Sequence, residues 1–379
     1  MLTAVLIIGM IVTGGLYCRS RIGEICEQME DPATAKGLVK RDIIRVITPG
    51  TVVENAMLEE SSNNYIASIF VDGNSFGICF CDVTTGELKC TSAINTKELD
   101  NRIIEEISRY KPCEILFNDA FLDCREAGYF IKERINCMGE QIDDSEYDKK
   151  LVEKTIYDHF GKHSPNELGF ENILQENCVS ALLRYLYETQ KNGVSRISSV
   201  KFYDEKAFMK LDLSARRNLE LTETMRSKEK KGSLLWVLDK TKSAPGARLL
   251  RQWVEHPLLN LSQIEQRQGA VAEFLSDYMM REEIGELLSQ VLDLERLVTR
   301  IVYGSANGRD LRAVANTAGI LPELKQILLR CSSQKIKKLC QDLDTLDDIR
   351  DTVNAAICET PPVSIREGDI IVDGYNADL

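Results

Sequence analysis

Two groups of residues in this 379-residue chain have types and spacing that could do chemistry. The first is basic. Lys36, Lys40, Arg41 and Arg45 fall within ten positions of one another. On a nucleic acid such side chains contact phosphates, which position a duplex without reading its bases. Their plainer role is a solvated face. The second group is acidic: Asp72, Asp82 and Glu87 lie among strand-like segments. Three such carboxylates could hold a pair of divalent cations for phosphodiester hydrolysis. However, Asp72 opens an Asp72-Gly73-Asn74 turn, and the other two sit at strand ends, where acidic residues commonly serve turns. The turn reading is preferred over the nuclease.

The remaining chemistry-bearing residues are sparse. Three histidines occur, none in a ligand-like pair, and twelve cysteines occur without a CxxC pair. Cys79 and Cys81, two apart on a strand, share one face and read as core. No metal site and no catalytic residue is expected. The cysteines are expected to be free thiols in a reducing cytoplasm. The formal net charge of -12 argues against non-specific coating of nucleic acid, while leaving a local basic patch open. At 44% hydrophobic and 28% charged residues, the chain is long enough for two or three domains with real cores.

The elements that must position these residues change along the chain. Met1 to Tyr17 carries no charge. It is shorter than the ~20 residues of a comfortable membrane span and has no charged leader, so it reads as a short anchor, a core segment or a shifted start. Asp42 to Thr48 alternates and reads as a strand. Tyr65–Val71 and Phe76–Asp82 read as a hairpin, with a third strand over Glu87–Thr91. Asn95 with Glu98 would cap a helix bearing Leu99, Ile103 and Ile107. Cys113 to Phe117 reads as a buried strand, followed by a helix over Phe121 to Lys132 and a short strand near Asn136. Three antiparallel strands followed by alternating helix and strand give the order of an RNase H-like α/β domain.

From Glu171 onward the pattern is helical, with Leu174, Cys178, Leu182 and Leu186 at four-residue steps. Its hub is Lys210 to Leu275. Leu249 and Trp253 would face one side of a helix and bury there. Pro257 stops that helix, and Ser262 with Glu265 would cap the next. Ile284 to Ile301 forms one apolar stripe, and Ile336 to Val353 another that reads as the last helix. Pro322 is expected to interrupt or kink the helix between them.

Several motifs in order resemble the MutS family of DNA mismatch repair proteins. Glu27-Gln28-Met29-Glu30-Asp31-Pro32-Ala33-Thr34-Ala35-Lys36-Gly37-Leu38-Val39-Lys40-Arg41 and Val46-Ile47-Thr48-Pro49-Gly50-Thr51 resemble the end of its mismatch-recognition domain. Cys81-Asp82-Val83-Thr84-Thr85-Gly86-Glu87 resembles its connector domain. Arg216-Arg217-Asn218-Leu219-Glu220, Gly246-Ala247-Arg248-Leu249-Leu250, Asp293-Leu294-Glu295-Arg296-Leu297 and Arg309-Asp310-Leu311 resemble its helical core. The resemblance covers roughly Ile22 to Leu379.

It implies a multidomain α/β + α chain. Residues 1–21 would be an apolar segment outside the family pattern, and 22–50 a remnant of the recognition domain. Residues 51–160 would be an RNase H-like connector, and 161–379 the first part of an all-α helical core or lever domain. The full-length family recognises mismatched duplex DNA, dimerises, uses ATP and Mg, and signals to the downstream repair protein MutL. Two of its motifs are missing here. Met1 to Gly23 contains no Phe-x-Glu, the pair that reads a mispair, and the chain has no GxxxxGK[ST] phosphate-binding loop. Asp373 to Leu379 resembles the approach to the family's DNA clamp. The chain is therefore expected to have no catalytic residue, no cofactor of its own and no stable membrane association. Lys36, Lys40 and Arg41 are its candidate DNA contacts. The alternative is a protein-interaction module or decayed gene fragment that binds no DNA.

Overall fold

A computed structural model describes residues 23–28, 41–54, 57–161, 164–190, 193–204, 207–364 and 367–376. The apolar start, residues 1–21, lies outside them. The chain forms two compact units, one of residues 1–59 and 63–205, the other of 60–62 and 206–379.

In the first unit, β1 (Gly23–Gln28) and β2 (Arg41–Ile47) form an antiparallel ladder. The β-branched residues Ile43, Ile44, Val46 and Ile47 account for the second strand. A six-stranded sheet follows. It contains β3 (Ile66–Asp72), β4 (Ser75–Asp82) and β5 (Glu87–Ala93). Next come α1 (Leu99–Tyr110), β6 (Glu114–Phe117), α2 (Arg125–Phe130) and β7 (Met138–Gln141). Then α3 (Lys149–Phe160) and α4 (Ile173–Gln190) lead to β8 (Lys201–Phe202). The strand order is β7-β6-β3-β4-β5-β8. β3, β4 and β5 pair antiparallel, while β6, β7 and β8 join in parallel.

Gly73, at φ +56°, makes the tight hairpin between β3 and β4. Alternation then sorts the strands. Ala67, Ile69, Val71, Phe76, Ile78 and Phe80 pack with Ile103 and Ile107 of α1 and Ala127 and Phe130 of α2. Their neighbours Ile66, Ser68, Cys79 and Cys81 are also fully buried, with α4 packed on β3 and β4. A strand covered on both faces needs a nearly unbroken apolar run, as these have. At Gly77 the approach is closest: a Cβ there would lie 2.3 Å from the Leu174 carbonyl oxygen. The connector was expected to end at 160, but α4 and β8 belong to this sheet, and the compact unit runs to Glu205.

The second unit is helical. Its elements are α5 (Leu213–Asn218), α6 (Leu234–Leu238), α7 (Ala244–Glu255), α8 (Leu261–Ser276) and α9 (Tyr278–Gln290). They continue with α10 (Leu294–Val302), α11 (Gly308–Leu328), α12 (Gln334–Asp342) and α13 (Asp347–Ala356). Met280 and Ile284 of α9 pack with Leu324 and Ile327 of α11 and Ile336 of α12.

Several local expectations need correction. The stripe from Ile284 to Ile301 is two helices, because the Asp293 carboxylate accepts the Arg296 N–H and starts α10 anew. Ile336 to Val353 is likewise split, with Leu346 at φ +53° between α12 and α13. α11 runs through Pro322 without interruption. Asn260, not Ser262, caps α8 by accepting the Gln263 N–H at 3.1 Å. Asn95 does not cap α1; it sits at φ +50° and its N–H bonds Ser75 Oγ. Trp253 is not buried. It is 37% exposed, beside Leu249 at 49%, and the Arg267 guanidinium lies 3.8 Å from the ring centroid.

Candidate nucleic-acid interface

Lys36 and Lys40 lie outside the described residues. Arg41 is the first residue of β2 and pairs in register with Gln28; its side chain is not described. Arg45 was grouped with them as a solvated cation, and the structure corrects this. Arg45 is 8% exposed and turns inward. Its Nε donates to Gln190 Oε1 at 2.7 Å, its Nη2 to the Thr51 carbonyl at 2.8 Å, and its Nη1 to Glu54 at 3.1 Å. Gln190 Nε2 donates back to the Val46 carbonyl at 2.9 Å. The strand that begins with Arg41 is thereby tied at its far end to α4.

A second buried anchor lies beside it. Glu114 opens β6 and is 1% exposed. Thr48 Oγ1 donates to its carboxylate at 2.6 Å and the Gly50 N–H at 2.9 Å, and the Tyr185 hydroxyl donates to the other oxygen. Burial pushes the Glu114 carboxyl above its ordinary range, against the pull of the Thr48, Tyr185 and Gly50 donors. Together Arg45 and Glu114 bind the turn after β2 to both α4 and the sheet. The single sequence signal for this node was one Glu at the head of an apolar Ile-Leu-Phe run.

The acidic trio does not assemble into a metal centre. Asp82 is fully buried and serves its turn. Its carboxylate accepts the Thr84 hydroxyl at 2.6 Å, the Thr84 N–H at 2.9 Å and the Asn63 amide at 2.8 Å. Glu87 faces cations instead. Burial works against its charge, but Lys89 at 2.9 Å and Lys201 at 3.3 Å outweigh that and hold the carboxyl below its ordinary value. Asp72 closes the β3–β4 hairpin opposite Ser75. Among the described residues no group of three His, Cys, Asp or Glu could hold a metal ion. The ten cysteines whose side chains are described, Cys79 and Cys81 included, are free thiols.

In the helical unit, the sequence motifs around Arg248 and Asp293 meet. Arg248 is 3% exposed. Its Nη1 and Nη2 donate to the two Asp293 oxygens at 2.6 and 2.9 Å, and Nη2 also reaches Glu295 at 2.5 Å. This planar fork is a geometry that arginine makes and lysine does not. Burial alone would weaken the guanidinium charge, but Asp293 and Glu295 raise its pKa further. Arg248 also donates to the Glu60 carbonyl at 3.2 Å, and Arg296 to the Ser62 carbonyl at 2.9 Å. The hub therefore joins α7, α10 and residues 60–62 by charge. The two motifs are visible in the sequence but their pairing is not, because nothing in a linear spacing of 45 residues announces a contact.

No helix of the described residues is long and apolar enough to cross a membrane.

Comparison with known proteins follows the same division. Residues 21–56 match the family model for MutS domain I, 64–199 that for MutS domain II and 214–376 that for MutS domain III. The chain is similar to proteins named DNA mismatch repair protein MutS. The one from Acetivibrio thermocellus is 42% identical over 94% of this chain and 40% of its own length. Those from Lachnoclostridium phytofermentans and Clostridium tetani are 42% and 37% identical, again over 94% of this chain and 38% and 39% of theirs. The chain thus spans about two fifths of the length of the curated relatives it matches.

Proposed function

This chain belongs to the MutS family of DNA mismatch repair proteins, and on that premise we propose that it supplies the connector and part of the core of a mismatch repair protein. The observation that carries this reading is the ordered match of domains I, II and III to the β1–β2 ladder, the six-stranded sheet and the helical unit. The strand order, with three antiparallel strands and two parallel additions beside β3, supports an RNase H-like connector. The succession of helices from α5 to α13 supports a lever-type core. In this reading residues 22–50 belong to the recognition domain, the connector runs from 51 past the expected boundary at 160 to include α4 and β8, and the core follows β8.

The reading extends to the partners that membership of the family implies. They are mismatched duplex DNA, a second copy of the protein, and MutL, acting in the cytoplasm. ATP and Mg would belong to the whole protein. Within this chain, Lys36, Lys40 and Arg41 are the proposed phosphate contacts. Replacing all three with Gln should weaken duplex binding and lower the slope of log affinity against log salt by about one for each lost phosphate contact. Unchanged affinity and slope would remove these residues from the interface.

A further inference from the structure

The chain is acidic overall, yet one stretch of the helical unit reverses that balance. From Thr224 to Ser243 there are six Lys and Arg against two Asp and Glu. One of the two acids, Asp239, is taken by Lys230 at 2.6 Å. Arg226, Lys228, Lys231, Lys240 and Lys242 are all exposed. Among the described residues none of these five forms an ion pair, whereas the cations of the hub and of β5 do.

The backbone holds this stretch as a folded platform. The Lys228 N–H bonds the Thr224 carbonyl at 3.1 Å, and the Thr224 N–H bonds the Glu229 carbonyl at 2.9 Å. The Leu234 and Leu235 N–H groups bond the Glu220 and Leu221 carbonyls at 3.0 and 2.8 Å. Ser233 Oγ caps α6 at Trp236 N, and the Lys230–Asp239 bridge folds the basic turn along α6 to its far end. Lys231 therefore precedes α6 and Lys240 and Lys242 follow it. Between them Trp236 is 46% exposed, although a large aromatic surface left in water is unfavourable.

Exposed cations beside an exposed aromatic are the two components of a sequence-tolerant nucleic-acid surface. The cations displace counterions from phosphates, and the ring offers a base a face to stack on. We propose that Arg226, Lys228, Lys231, Lys240, Lys242 and Trp236 form a second surface for the phosphate backbone of nucleic acid, separate from Lys36, Lys40 and Arg41. It rests on the nucleic-acid reading above and adds to it a site in the helical unit. It reads charge and not sequence, so it is blind to mispairs.

The test uses the 379-residue chain and a fluorescently labelled oligonucleotide, single-stranded and as a matched duplex. The patch variant carries Arg226→Gln, Lys231→Gln, Lys240→Gln and Lys242→Gln, leaving Lys228 and the Lys230–Asp239 bridge intact. A control carries Lys132→Gln, Lys149→Gln, Lys150→Gln and Lys154→Gln, also exposed positions with the same change in charge. A third carries the Lys36, Lys40 and Arg41 replacements. The patch variant should melt as the wild type does. At low salt it should bind about tenfold or more weakly than the control, with the salt slope reduced by about one per phosphate contact removed. In a Trp253→Phe background only Trp236 emits. Quenching by the single strand alone identifies unpaired nucleic acid as the source, and equal quenching by both identifies the phosphate backbone that the two share. If the patch variant matches the control, or if the wild type binds neither oligonucleotide, the proposal is overturned. If only the N-terminal replacements abolish binding, the patch is overturned while the N-terminal interface stands.

Discussion

At the scale of single residues, His159 shows how burial sets a titration. Its Nε2 lies 2.6 Å from the Ile197 carbonyl and so carries the proton, leaving Nδ1 to accept the Tyr187 hydroxyl at 2.7 Å. Burial pushes the imidazole below its ordinary value of 6.5, and the bond to Ile197 only partly opposes this. The unfolded chain therefore takes up the proton first as pH falls. The stability that neutral His159 contributes is complete above 6.5 and is lost as pH drops from there toward the lower folded value. Melts of wild type and His159→Phe across this window should converge as pH falls, with the wild type the steeper. Parallel curves would contradict the assignment. Glu114 is the opposite case, a carboxylate whose charge is disfavoured by burial but which three donors hold in place.

At the scale of elements, the charged hub decides how α7 and α10 meet. Removing Arg248 leaves Asp293 facing an emptied site. Arg248→Ala should cost about 3 kcal/mol of stability, the lower range for breaking a buried pair. Arg248→Lys should recover only part of that, because an ammonium cannot span both Asp293 oxygens. Equal stability of the lysine variant and the wild type in denaturant titrations would show that the fork geometry is unimportant. The hairpin at Gly73, the buried strands and the amphipathic α1 were legible in the sequence, since their signals are local. Helix ends were less so. Asp293 breaks what periodicity alone makes one stripe, and Asn260 outcompetes the nearby Ser262 as a cap. The return of α4 and β8 to the sheet was not legible, because its causes are the long-range fits at Gly77 and beside β5. Trp253 failed in the same way. A spacing of four from Leu249 places both on one side of a helix but does not supply the surface that would cover them.

At the scale of the whole molecule, the proposed function depends on what each unit would present to DNA. In the proposed reading Lys36, Lys40 and Arg41, like the basic platform around α6, would offer charge to phosphates. Charge of this kind fixes affinity and salt dependence but carries no base information. Reading a mispair requires a group that enters the stack, and unstacking is costly unless an inserted side chain repays it. The given residues contain no Phe-x-Glu pair, the pair that the family resemblance links to that role. The net charge of -12 gives no long-range attraction to compensate. The most direct measurement is a titration of this chain with a matched duplex and with an otherwise identical G·T duplex, at low and at moderate salt. Weak, salt-sensitive binding with the same affinity for both is expected. A reproducible preference for the G·T duplex would contradict it.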